Sequence, residues 1–166
     1  LALTAGTSTT ATLDEPFKTV FYRFDAVAGV HGVYDALSAP GGGSAYATLF
    51  TPSGATLWSC GFGFCDVFTD FGPVTLPDTG TYYLLLASYQ ADPMTFDFRL
   101  IDSSKAPAET MPVGATKSGT LSPGYQLQVY RFALGGRQRL FGDGRGTDPN
   151  AIWFLYGQSN EYLASA

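Results

Sequence analysis

The pattern of apolar and polar positions is almost wholly that of β-strands, with a period of two where it is clearest, and no stretch of ten or more residues shows helical periodicity without a Gly or Pro inside it. From Lys18 to Phe24, Val20, Tyr22 and Phe24 share one face and Thr19, Phe21 and Arg23 the other. Thr95 to Ile101 repeats the pattern: Phe96, Phe98 and Leu100 point one way, Asp97 and Arg99 the other, as in a sheet wet on one face. Further strands are predicted over Gly32 to Leu37, Ala45 to Thr51, Ala55 to Ser59 and Thr81 to Ser88. Turn residues separate them at Pro40-Gly41-Gly42-Gly43, Pro52-Ser53-Gly54 and Leu76-Pro77-Asp78-Thr79-Gly80. Short strands with frequent turns predict an all-β antiparallel sandwich.

The pattern occurs twice. Phe21-Tyr22-Arg23-Phe24 returns as Val129-Tyr130-Arg131-Phe132, with Tyr22 and Tyr130 separated by 108 positions (130 − 22). Upstream, Thr10-Ala11-Thr12-Leu13 matches Ser118-Gly119-Thr120-Leu121 and Phe17 matches Tyr125; downstream, Asp35 matches Asp143. Leu49 to Gly54 then aligns with Leu155 to Asn160, and Leu57 and Ser59 with Leu163 and Ser165, two residues having been lost in a loop. Face parity is preserved between the copies, and a one-residue slip would have swapped every face. The expected organisation is a first module over 1–101, a linker over 102–113 and a partial second module over 114–166, in tandem. The second copy lacks counterparts of the Thr81 and Thr95 strands. Its apolar face at Ile152 to Tyr156 is therefore expected to be covered by continuation of the chain or by strands from another molecule, which would make the fragment a filament-forming unit.

Composition narrows the class. Of 166 residues, 45% are hydrophobic and 14% charged, enough to bury a core. A net charge of −5 with nine scattered Lys and Arg speaks against nucleic acid as a partner. No apolar run reaches the roughly 20 residues of a membrane-spanning helix, and no signal peptide stands at Leu1. The two cysteines, Cys60 and Cys65, bracket Gly-Phe-Gly-Phe. A disulfide is expected there, with two buried free thiols as the alternative; a disulfide would place the chain outside the cytoplasm.

Candidate chemistry is sparse. Asp143, Asp148 and Asn150 lie in a Gly-rich loop whose oxygens are of the kind calcium takes, against an ordinary solvated turn as the competing reading. No other cofactor is implied. Trp58, Phe62 and Phe64, with Tyr82, Tyr83 and Tyr89, exceed what one small core needs and are candidates for stacking on sugar rings. His31 has no nucleophile motif beside it and is expected at a wet strand surface. The pairs Asp14-Glu15 and Asp66/Asp70 have no partner that would split their acidities, so catalysis is not expected. Leu76 to Gly80 satisfies a sortase pattern, yet it precedes a strand in mid-chain and reads as a turn.

Tyr-Arg-Phe followed by Gly and Asp, then Leu49-Phe50-Thr51-Pro52-Ser53-Gly54, then Leu76-Pro77-Asp78-Thr79-Gly80-Thr81-Tyr82-Tyr83-Leu84, resembles the bacterial pre-peptidase C-terminal domain. The resemblance spans the first module and as much of the second as is present. It implies a jelly-roll-like sandwich of secreted or surface proteins, where such domains help secretion, attach to a matrix or space other domains. Some relatives bind calcium, but no full acidic ligand set matches in this chain. The expected function is thus a non-enzymatic extracellular or cell-surface module serving as spacer, adhesive or assembly unit. Its partners would be neighbouring modules or copies of itself. The alternative is a carbohydrate-binding accessory domain of a secreted hydrolase, with a glycan as partner.

Overall fold

The computed structural model describes residues 1–38, 45–60, 67–120, 128–146, 152–158 and 161–165. Two compact units emerge: Leu1–Pro107 with Thr120–Val129, and Ala108–Gly119 with Tyr130–Ala166.

Among the described residues of the first unit run eight strands: β1 (Thr9–Leu13), β2 (Thr19–Ala26), β3 (His31–Ala36), β4 (Ala45–Phe50), β5 (Thr56–Cys60), β6 (Phe71–Thr75), β7 (Gly80–Ser88) and β8 (Met94–Asp102). They form two four-stranded sheets, β1-β8-β3-β6 and β2-β7-β4-β5, and every neighbouring pair is antiparallel. The pairings β1 with β8, β2 with β7, β3 with β6 and β4 with β5 are nested, as in a long hairpin rolled over on itself. This is a jelly roll, the architecture expected. Two strands were not predicted. β1 is short, and β6 holds Gly72-Pro73, whose sequence reads as a breaker; β6 lies at a sheet edge, where a missing N–H costs no ladder bond.

Alternation decides which side chains meet between the sheets. Tyr22, Leu49, Trp58, Tyr82, Leu84 and Leu86 from one sheet face Leu13, Tyr34, Met94, Phe96 and Phe98 from the other, all buried. Phe98 joins the layers: its ring meets Tyr22 edge-on at 5.4 Å and stacks on Tyr34 at 5.4 Å. Burying such a side chain contributes about 1.5–3 kcal/mol. Gly72 sits where nothing larger fits, since φ is 122° and a Cβ would lie 2.8 Å from the Gly32 carbonyl oxygen.

In the second unit, β9 (Ala108–Thr110) pairs with β10 (Val129–Arg131), and β11 (Phe154–Tyr156) with β12 (Tyr162–Ser165). β9 falls within the stretch read as linker. Several details have counterparts in the first unit. The Leu3 amide donates to Arg23 O and the Met111 amide to Arg131 O, both at 2.8 Å. The Thr7 amide bonds Thr4 O around Gly6 (φ 80°), and the Ala115 amide bonds Pro112 O around Gly114 (φ 87°), both at 3.1 Å. The β4–β5 pairs Thr48↔Ser59, Leu49↔Trp58 and Phe50↔Thr56, with a register shift after Leu49, correspond to Phe154↔Ser165, Leu155↔Ala164 and Tyr156↔Tyr162, with a shift after Leu155. Ile152, Trp153 and Phe154 are exposed.

Candidate functional site

The parity that buries Tyr22, Leu84 and Leu49 turns their neighbours outward, and strand register lines these up in rows across the β2-β7-β4-β5 sheet. One row runs Phe21–Leu85–Thr48–Ser59 and the next Arg23–Tyr83–Phe50–Thr56, with Thr19–Ala87–Tyr46 beside them. Neighbouring strands lie about 4.8 Å apart, which sets Tyr83 between Arg23 and Phe50 on this outward face. Phe21 is 50% and Tyr83 41% exposed, and Tyr46 stacks on the exposed Tyr89 at 4.7 Å. Polar groups accompany the rings: Arg23 is exposed, the exposed Ser59 shares a hydrogen bond of 3.0 Å with the buried Thr48 hydroxyl, and the Thr81 hydroxyl donates to Asp25 at 2.6 Å. Flat rings edged with hydroxyls, a cation and a carboxylate can stack against the apolar face of a pyranose while bonding its hydroxyls.

The opposite sheet holds a buried ionic row. Asp35 on β3 is cross-strand to Arg99 on β8, whose guanidinium bonds it, and Asp70, just before β6, lies beside it. Asp70 Oδ1 accepts the Ala36 amide at 2.6 Å. Asp35 is wholly buried, and Asp35 Oδ1 and Asp70 Oδ2 find no hydrogen-bond partner among the described residues. Burial, reinforced by the Asp35 charge and opposed by the Ala36 amide and Arg99, pushes the Asp70 carboxyl up to about 7.

The sequence-derived candidates are scattered. Trp58 is 8% exposed and lies in the core, its ring 4.4 Å from that of Phe71 and 6.0 Å from that of Tyr34. It points inward because β5 shares the parity of β4. Phe62, Phe64 and Cys65 lie outside the described residues, as does the Cys60 side chain, so the disulfide stays an expectation. Asp143 is exposed and pairs with Arg145 at 2.7 Å, whereas Asp148 and Asn150 lie outside the described residues. Among the described residues no three His, Cys, Asp or Glu side chains form a metal-holding group. His31 is 7% exposed and buried, a correction to the expected wet surface: β3 lies between β8 and β6, and the Ser103 hydroxyl donates to its carbonyl at 3.0 Å. Asp14 pairs with Lys18. Leu76 to Gly80 forms a turn, with the Tyr82 hydroxyl accepting the Asp78 amide and donating to its carbonyl. Sequence reasoning missed the outward aromatic face, whose signal was the parity of Phe21 and Arg23, and the buried Asp35.

No protein-family model matches the chain, and no curated protein matches it. Among solved structures it is similar to the pre-peptidase C-terminal domain of a collagenase from Bacillus anthracis, at 17% identity and TM-score 0.46 over 60% of this chain and 90% of that one. It is also similar to PliG of Aeromonas hydrophila, a periplasmic inhibitor of g-type lysozyme, at 18% identity and TM-score 0.40 over 57% of this chain and 81% of that one. Among the described residues no helix is long and apolar enough to cross a membrane.

Proposed function

We propose that the chain is a non-enzymatic extracellular module of a secreted or surface protein, a spacer or adhesion unit that uses one jelly roll in tandem copies. The observation that carries this reading is the matching backbone pairing of the two units: the hairpin register with its shift, the Gly6 and Gly114 turns, and the bonds from Leu3 and Met111. Copies of one module in a chain suit extension and multivalent contact. The sequence resemblance to pre-peptidase C-terminal domains and the Cys60/Cys65 spacing support the extracellular setting. Two measurements test the proposal. Hydrogen exchange should show protected amides in both hairpins, at Leu49 and Leu155 alike, and panels of peptide, ester and glycoside substrates should go unturned. Saturable turnover of any substrate, or an unprotected second hairpin, would refute it.

A second reading, a carbohydrate-binding accessory module, is favoured by the exposed aromatic face of the β2-β7-β4-β5 sheet. A glycan array probed with the chain and with Phe21→Ala/Tyr83→Ala tests it. Binding carried by that face is lost in the double variant; binding unchanged by the double variant rules the face out.

A further inference from the structure

Between the two sheets of the first unit lies a cavity of about 290 Å³. Its walls are apolar and come from both layers: Phe24, Leu49, Trp58 and Leu84 on one side, Tyr34 and Phe71 among those on the other. Charged groups line it at Asp25, Asp102 and Lys105, of which Asp25 and Lys105 are exposed and Asp102 is half-buried. Of these, Asp102 and Lys105 are paired with each other at 2.9 Å.

A second observation bears on the same place. Trp58, which lines the cavity, is 92% buried (8% exposed), and its indole N–H has no acceptor among the described residues. A buried donor without a partner weakens a fold by about 1–3 kcal/mol. The Tyr34 hydroxyl donates to the Val67 carbonyl at 2.9 Å and is not bonded to the indole N–H. Nor does a lone donor among hydrocarbon walls hold a water, which needs two to four polar partners.

We propose that this cavity is a binding site for a small uncharged aromatic molecule bearing one hydrogen-bond acceptor, which the Trp58 indole N–H engages. Size follows from volume. A cavity of about 150 Å³ takes benzene, so one nearly twice as large takes two fused rings and a short substituent, roughly a dozen non-hydrogen atoms. Aromatic character follows from the walls: Phe24, Tyr34, Trp58 and Phe71 offer ring edges and faces that an aliphatic chain would use only as area. Neutrality follows from the lining, where Asp102 and Lys105 are paired, Asp25 accepts the Thr81 hydroxyl, and no other side chain is charged. The site goes beyond a spacer role and is separate from the outward aromatic face.

The test uses the intact chain labelled with ¹⁵N and two ligands of equal heavy-atom count, 2-acetylnaphthalene with an acceptor and 2-isopropylnaphthalene without. The ketone is expected to shift the Trp58 indole N–H resonance saturably while that of Trp153 stays in place, and to bind about fivefold or more tightly than the hydrocarbon. Val74→Trp, which adds bulk to the cavity wall, should abolish both titrations while the chain keeps its dispersed spectrum. Replacing Trp58 by Phe should remove the preference for the ketone and leave hydrocarbon binding within about twofold. Failure of the ketone to move the Trp58 resonance up to its solubility limit overturns the assignment. So does equal affinity for the two ligands in the unsubstituted chain.

Discussion

Raising the pH from 5 to 8 should weaken the first unit, through Asp70. Its carboxyl rises from 3.8 to about 7 on folding, chiefly through burial, with the Asp35 charge adding to the effect and the Ala36 amide and Arg99 opposing it. The folded state therefore holds this proton over a range where the unfolded chain has released it, and stability falls as pH climbs through that range and levels off above it. Full burial would place the loss at about 4 kcal/mol across the window. Asp70 keeps part of its side chain in water, which screens the charge and brings the expected loss to about 2 kcal/mol, most of it between about pH 4 and 7. Asp70→Asn keeps an oxygen for the Ala36 amide and cannot ionise, so it isolates this contribution from that of other groups. Urea unfolding at pH 5, 6, 7 and 8 measures both proteins. The expected result is a midpoint that drops with pH in the parent and far less in the variant, with the variant the more stable at pH 8. Parallel pH profiles for the two proteins, or a parent that gains stability towards pH 8, would refute the reasoning.

Other substitutions report on packing and surface. Phe98→Ala removes the ring that touches both Tyr22 and Tyr34 and should cost about 3–5 kcal/mol in denaturant unfolding. Gly72→Ala forces a Cβ against the Gly32 carbonyl and should lower the thermal midpoint, whereas Gly6→Ala, with open space around it, should lower it less despite its positive φ. Phe21→Ala with Tyr83→Ala should change stability by only about 1 kcal/mol, because each ring is already about half exposed, so any lost glycan binding would be local. Thiol titration of the denatured, unreduced chain should find no free thiol if Cys60 and Cys65 are joined.

Much of the fold was legible because the strand period and the turn residues agreed. The alternation of Val20, Tyr22 and Phe24 identified β2 and its buried face, and Phe96, Phe98 and Leu100 did the same for β8. β6 was hidden because Gly72-Pro73 reads as a turn wherever it occurs, and only an edge position makes it compatible with a strand. The candidate surface needed one thing that parity does not contain, namely register. Parity shows that Phe21 and Tyr83 point away from the core, but only the pairings Phe21↔Leu85, Arg23↔Tyr83 and Tyr83↔Phe50 bring them together. Trp58 is the opposite case, an aromatic whose chemistry suggested a surface but whose position opposite Leu49 faces the interior. Asp35 has no sequence signal at all, since burial of a carboxylate depends on Arg99 and Asp70 arriving from distant strands.

The nesting of the strands also sets an order in time. β4 and β5 are joined by a turn of five residues, whereas Leu13 must find Met94 across nearly the whole unit. The last strand, β8, carries Phe96 and Phe98, the rings that tie the two sheets together. A chain emerging from a ribosome or a translocation pore can close its inner hairpin early, but it cannot seal its interior until Asp102 has come through. Until then Tyr22 and Tyr34 wait uncovered beside unpaired edges, and non-local closure of this kind is slow, on the order of milliseconds to seconds. A chain cut short before β8 would therefore be left with its interior open and the edges of β1 and β3 unpaired on that side.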